Sequence, residues 1–184
     1  MQKVRLRRAV HLRDWCRIWR LYLQAFPACE RKPFAMILRM CRQGYADVWV
    51  IEQPRRFSGL AITMKADDLV LLDYFAVSPK VRGGGIGSMA LRTLQRMYEG
   101  KRFFLEIEST FADAEDLPER QRRKRFYLRN GMQELNVHAD LFGVEMELLG
   151  YECSLTFAEY HQLYLTRVGS LAEGKVREIE QNER

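Results

Sequence analysis

The residues that invite a chemical reading lie in one glycine-rich turn and in two apolar runs that carry acids. Arg82-Gly83-Gly84-Gly85-Ile86-Gly87 joins an apolar run ending at Val77 to a segment of helical spacing that opens at Ile86. Glycine lets a backbone turn tightly and approach a ligand closely. The first amides of a helix have no partner inside it, and the helix dipole makes that end positive. A pyrophosphate fits such a place, and Arg82 could add a charge-assisted contact. Two better-known phosphate motifs fail. A Walker A loop needs GxxxxGK[ST], and the residue five after Gly83 is Ser88, with no Gly-Lys pair. A dinucleotide GxGxxG fails at its sixth position, again Ser88, and the turn lies mid-chain after three or four strands. The plainer alternative stays open, that the glycines only make a tight strand-to-helix turn. Three in a row cost chain entropy, which argues for a further task.

Carboxylates interrupt the apolar runs. Alternation along Phe103–Glu108 puts Phe104, Glu106 and Glu108 on one face, and Asp73 breaks the run Leu69–Val77. Acids in central strands are costly unless they are paired or face a wet cleft. A basic helix over 119–130 carries Arg120, Arg122, Arg123, Lys124, Arg125 and Arg129, and offers partners for them. That helix reads as a solvated face beside the acidic loop 111–118, or as a nucleic-acid patch. His11, His138 and His161 sit at no catalytic or metal spacing, and Cys16, Cys29, Cys41 and Cys153 form no CxxC pair. No metal site is expected, and the cysteines read as small buried hydrophobes or free thiols of a reducing compartment.

The elements that must position these groups follow from periodicity. A first strand is expected over 3–10. Trp15, Ile18, Trp19, Tyr22, Leu23 and Phe26 form a helical stripe that Pro27 stops, and a second helix runs from Pro33 to Gly44. Strands follow over Val48–Ile51, Phe57–Met64 and Leu69–Val77, then a helix from Ile86 to Gly100 and the strand Phe103–Glu108. The basic helix ends at Gly131, strands near 132–138 and 142–149 form a final pair, and a short helix covers Phe157–Val168. The tail from Ala172 is highly charged and is expected to fray. The alternation of strands and helices indicates an α/β domain with a mixed sheet. The 184 residues suit one domain, able to bury roughly 70% of its unfolded surface. With 47% hydrophobic residues, disorder is excluded as a whole-chain reading. The longest apolar stretch, Leu69–Val77, falls far short of the roughly 20 residues of a membrane span. The basic N-terminus has no secretory apolar core after it, so a cytoplasmic protein without membrane contact is expected. The formal charge of +6 leaves a polyanionic partner open.

The run from Leu72 to Ser88 resembles motif A of the GNAT acetyltransferase superfamily. Its signature [RQ]-x-x-G-x-[GA] is met by Arg82, Gly85 and Gly87, after an apolar strand ending Ala76-Val77-Ser78-Pro79. A second block, Phe126-Tyr127-Leu128-Arg129-Asn130-Gly131-Met132, resembles that family's downstream helix, which carries Phe-Tyr and closes on Gly. The element order agrees over about 3–150. The resemblance therefore implies an acetyltransferase domain over 1–150, followed by a C-terminal helix and charged tail over 151–184. It implies a mostly antiparallel central sheet flanked by helices, with a V-shaped split beside strand 4. Acetyl-CoA would be the co-substrate, its pantetheine pairing to backbone near Phe75 and Val77. Its pyrophosphate would lie on the amides of Gly83, Gly84, Gly85, Ile86, Gly87 and Ser88, and its phosphates are a further partner for the basic helix. The acetyl group would pass directly to a primary amine. Tyr127 aligns with the family's general acid, and a phenol of reference pKa about 10 can protonate a departing thiolate. The alternative is that Tyr127 packs beside Phe126. Glu106, Glu108 and Asp73 would line the acceptor channel, deprotonate the amine through water or bind a cationic substrate, with ion pairing to the basic helix as the alternative. Glu30-Arg31-Lys32-Pro33-Phe34 falls in the region that commonly helps shape the family's acceptor site, but a polar helix connector is the stronger reading of it. The acceptor would be a small-molecule or peptide amine. Apolar strands near the C-terminus would permit a homodimer. Two other functions remain on the sequence alone: a non-catalytic acyl-CoA-binding sensor of the same fold, and a basic nucleic-acid-binding module. Retention of Tyr127 favours the enzyme over the sensor, and the single glycine loop favours both over nucleic-acid binding.

Overall fold

The computed structural model describes residues 4–180, apart from 55 and 113 and the side chain of Cys29. In chain order the elements are β1 (Arg5–Arg8), α1 (Leu12–Ala25), α2 (Phe34–Arg42), β2 (Ala46–Gln53), β3 (Arg56–Ala66), β4 (Leu69–Val77), α3 (Ile86–Met97), β5 (Arg102–Glu108), α4 (Leu117–Leu128), β6 (Gln133–Leu141), β7 (Val144–Tyr151), α5 (Phe157–Val168) and β8 (Val176–Glu178). The strands form one mostly antiparallel sheet flanked by helices, in the order β1-β2-β3-β4-β5-β7-β6-β8. Contacts divide the chain into two compact units. One holds the residues up to Met64 and Leu72–Glu99, and the other holds Lys65–Leu71 and the chain from Gly100 onward. Among the described residues no helix is long and apolar enough to cross a membrane.

In the first unit, strand alternation sorts side chains between two layers. Val48 and Val50 of β2 lie opposite Ile62 and Leu60 of β3, and with Tyr74 and Ala76 of β4 they bury Ile18, Leu21 and Tyr22 of α1 and Ile37 of α2. Each such fully buried aliphatic side chain contributes about 1.5–3 kcal/mol. The alternate residues Ile51, Phe75 and Val77 pack instead with Ile86, Ala90 and Met89 of α3. The start of α1 is pinned by Asp14, which accepts from Arg7 Nη1 and Nη2 at 2.6 and 2.8 Å and from the backbone of His11 at 3.3 Å. Arg7 also reaches Glu52 of β2 at 2.9 Å. The close approach of β3 and β4 needs Gly59, where an added Cβ would lie 2.3 Å from the Ala76 carbonyl oxygen.

In the second unit β5 runs antiparallel to β7, placing Glu106 opposite Leu148 and Glu108 opposite Met146. The β6–β7 hairpin turns at Phe142 and Gly143, with φ of 53° and 89°, and the amide of Gly143 donates to Asp140 at 2.7 Å. Two expectations are corrected here. The tail does not simply fray after Ala172: Val176–Glu178 forms β8, paired to β6 through Ala139–Glu178 and Leu141–Val176, and Val176 is buried. Three residues are too few to show a period, so the charged composition hid the strand. The basic helix starts at Leu117 rather than Glu119, because Pro118 is well suited to a first helical turn.

Candidate active site

The glycine turn lies entirely in the first unit. β4 ends at Val77, a single helical turn covers Pro79–Val81, and α3 begins at Ile86 with Gly85 as its N-cap. Gly83 and Gly85 have φ of 87° and 71°, the left-handed region that side-chain-bearing residues avoid. A Cβ added at either would meet nothing within 4 Å, so the space above both is open. No side chain caps Gly85, and the first turn of α3 carries no acid. The amides that open the helix therefore face neither a competing acceptor side chain nor a nearby carboxylate of their own turn. Arg82 is exposed and turns its Nε back to the Val77 carbonyl at 3.2 Å. Phe75, Val77 and Ile86 are packed together beneath the turn. Gly84 is exposed, and Gly87 and Ser88 are partly exposed on the first turn of α3. The expected cofactor-binding residues from Phe75 to Ser88 thus share one end of β4 and one helix terminus, while Tyr127, also expected to touch the cofactor, lies on α4.

Asp73 lies in the same unit and is paired. Its Oδ1 accepts from Lys32 Nζ at 2.6 Å, and the two side chains are 4% and 13% exposed. The connector between α1 and α2 is tied to β4 by more than this pair. Tyr74 donates to the Glu30 carbonyl at 2.8 Å and accepts from the Lys32 amide at 2.8 Å, and Tyr22 donates to the Lys32 carbonyl at 3.0 Å.

Tyr127, Glu106 and Glu108 belong to the second unit. Along α4 the buried residue is Tyr127. A helix with so little apolar surface is fixed by ions instead. Glu108 accepts from Arg123 at 2.5 Å and from Arg120 at 3.1 Å. Lys124 reaches Glu147 at 2.6 Å and Glu134 at 2.9 Å, and Arg120 also bridges to Asp116 at 2.8 Å. Burial pushes the Glu147 carboxyl up, but Lys124 and Thr110 outweigh it and hold the group below the usual carboxylate range. Three of the basic helix's cations are thereby committed to carboxylates within the fold, and Glu108 takes the ion-paired arrangement that the sequence had left open.

Tyr127 stacks edge-on against Phe126, with ring centroids 5.2 Å apart. Burial of the phenol pushes its pKa up to about 12, against a weaker downward pull from the charge of Arg123. It is therefore neutral throughout the physiological range. Gly131, with φ of 88°, closes the helix, and the Met132 amide returns to the Tyr127 carbonyl at 3.2 Å.

Glu106 has partners that motif reading missed. Its Oε2 accepts from the Tyr160 hydroxyl and its Oε1 from the Tyr164 hydroxyl, both at 2.5 Å. Both tyrosines are fully buried, while Glu106 keeps part of its surface open. The signal that could have found them is the pair of tyrosines four apart on the 157–168 helix, which share one face. Among the described residues no cluster of His, Cys, Asp and Glu is arranged to hold a metal ion.

The chain is similar in structure to a GNAT-family protein from Bacteroides thetaiotaomicron, with a TM-score of 0.77 and 19% identity, over 90% of this chain and 98% of that one. It is similar to the ribosomal-protein-S18-alanine N-acetyltransferase from Escherichia coli, with a TM-score of 0.57 and 15% identity, over 84% and 96%. NAA60 from Arabidopsis thaliana, solved in complex with acetyl-CoA, gives a TM-score of 0.61 and 14% identity, over 81% and 98%. No curated protein matches the sequence. A family model described as the acetyltransferase (GNAT) family matches residues 13–132, which include both the glycine turn and Tyr127, and the chain belongs to that family.

Proposed function

We propose that the protein transfers the acetyl group of acetyl-CoA to a primary amine. The observation that carries the reading is the open, uncapped start of α3 at Gly83–Gly85 beside Phe75 and Val77. It suits a diphosphate, whose charge the helix amides, Arg82 and the helix dipole would all favour. The acetyl-CoA complex of the Arabidopsis neighbour supports the same co-substrate. The E. coli neighbour, which acts on the alanine of a ribosomal protein, favours a peptide amine among the possible acceptors.

The chemistry has three requirements: a deprotonated amine, a polarised thioester and a proton for the departing thiolate. The amine nitrogen bonds to the thioester carbonyl carbon, the carbon–sulfur bond breaks, and the sulfur takes a proton to leave as the CoA thiol. Tyr127 is the donor of that proton in this reading, since it matches the family's general-acid position and its buried phenol stays protonated across the physiological range. Glu106 is the group that receives the ammonium proton. Of the three candidate acids it is the one whose carboxylate accepts from two phenols, whereas Asp73 and Glu108 are each paired with cations. Glu108 instead positions α4, and Asp73 positions the α1–α2 connector.

The test is CoA-thiol release from acetyl-CoA with three amines: a peptide beginning with alanine, a peptide with an internal lysine, and spermidine. Tyr127→Phe should lower kcat by about 10²–10⁴-fold with the acetyl-CoA KM unchanged. Stabilisation by acetyl-CoA in a thermal melt without thiol release would favour the sensor. No stabilisation would sink both readings.

A further inference from the structure

We infer that the outer face of α1 is a docking surface for an acidic amphipathic helix of a partner protein. The inference is independent of the transfer chemistry, and every residue it uses belongs to the first compact unit.

A helix on the surface of a domain needs one apolar stripe, facing the core. In α1 that stripe is Ile18, Leu21 and Tyr22, buried against β2, β3 and β4. The helix has a second stripe on its outer side. Leu12, Trp19 and Leu23 are 80%, 40% and 43% exposed, and Cys16 among them is exposed too. At 3.6 residues per turn these four fall within about 60° of one another. Single exposed apolar residues are ordinary on a protein surface, but four in one line mark a contact site. Trp19 is held from within the unit, stacked on Tyr22 at 6.3 Å and tilted against Phe34, the first residue of α2, at 4.7 Å.

The spacing says what shape fits. Leu12, Cys16, Trp19 and Leu23 recur at intervals of four, three and four, the d-a-d-a seam of two heptads. A stripe of strict a and d positions is narrow and matches one partner helix, whereas a helix lying in a bilayer surface presents a broad apolar face.

The charge says what chemistry fits. In that register Arg13 and Arg20 are e positions beside the seam, and both are exposed. Arg17 lies one turn from each, on the same side of the helix. Asp14 is the one acid of α1, and it is buried and paired with Arg7. α2 carries no acid and bears exposed Arg39 and Arg42 in its last turn. The face is therefore apolar and cationic. A second copy docked through the same patch would set cations against cations. A helix with Glu or Asp beside its own apolar seam meets the arginines with opposite charge instead.

The probe is a fluorescent peptide of three heptads with Leu at every a and d position and Glu at every e and g position, kept monomeric by its own charge. Its counterpart has Lys at e and g. Anisotropy should show saturable binding of the Glu peptide to the full chain, and binding of the Lys peptide about tenfold weaker. Leu12→Ser and Leu23→Ser, which remove exposed side chains from the seam, should each weaken the Glu peptide about tenfold. Arg13→Glu combined with Arg20→Glu should also weaken it about tenfold and make the Lys peptide the tighter binder, since each reversal exchanges an attraction for a repulsion of like size. Equal affinity for the two peptides, no saturable binding, or a preference that the double reversal leaves in place overturns the inference. So does binding to phosphatidylglycerol vesicles, abolished by Leu12→Ser, with no uptake of either peptide, and so does a dimer in sedimentation that the same variant dissolves. The comparison of the two peptides on the unaltered chain needs no variant and can refute the inference alone.

Discussion

Replacing Gly85 with alanine separates the two tasks a glycine turn can have. Gly85 has φ of 71°, and a Cβ there would meet nothing within 4 Å. No clash with the protein arises, so the stability cost is the left-handed backbone alone, about 1 kcal/mol. For a chain of this length that lowers the melting temperature by about 2–4 °C. Gly44, which follows α2, is a matched control, with φ of 77° and the same open surroundings. Gly44→Ala should cost the same stability. The two variants differ in what else the methyl group does. At Gly85 it enters the open space above the start of α3 and hinders access to the amides. Losing one charge-assisted contact there costs about 1.5–3 kcal/mol, so the Kd for acetyl-CoA should rise about tenfold to a hundredfold. Calorimetric titration with acetyl-CoA and thermal melts on both variants are the assay. Equal losses of stability with unchanged affinity in both would refute the phosphate reading and leave only a turn.

Four further outcomes follow from the structure. The Arg7–Asp14 pair holds the Asp14 carboxyl down at about 2, below its ordinary 3.8, so its contribution is full above pH 3.8 and lost as pH falls through about 2. That is about 2 kcal/mol of stability, which acid titration of Asp14→Asn against the parent chain should reveal as a missing transition. Burial raises the Tyr98 and Tyr127 phenols to about 12, so both favour the folded state below pH 10 and lose that contribution as pH rises through 12. Ultraviolet titration of Tyr98→Phe and Tyr127→Phe should each remove one late-ionising phenol. Gly59→Ala forces a methyl group to within 2.3 Å of the Ala76 carbonyl and should destabilise by about 1–3 kcal/mol in urea, distorting the end of β4. Truncation after Gly174 removes β8 and the buried Val176, exposing the β6 edge, and should lower the denaturation midpoint.

Much of the fold was legible because its signals are local. The apolar run Leu69–Val77 matches β4 to the residue, and the pattern over Phe157–Val168 matches α5. Both are long enough for periodicity to show and end at clear punctuation. The glycine turn was legible for the same reason, since a triple glycine between a strand and a helix has few conformations to choose from. The acids were legible only as anomalies. Their spacing said that Asp73, Glu106 and Glu108 needed partners, and did not say which. Lys32 lies 41 residues from Asp73, and Tyr160 and Tyr164 lie 54 and 58 residues from Glu106. No local pattern carries such a pairing.

The sequence by itself determined the glycine turn between a strand and a helix and the Phe-Tyr pair before Gly131, because backbone freedom and local spacing are properties of the residues themselves. Only the tertiary structure decided what each carboxylate touches. Asp73 and Glu108 are bound to cations, and Glu106 is held by two buried phenols of a helix that the motifs did not reach. The reason is that an acid's role depends on its partners and its exposure, and both are set by which distant elements the fold brings together.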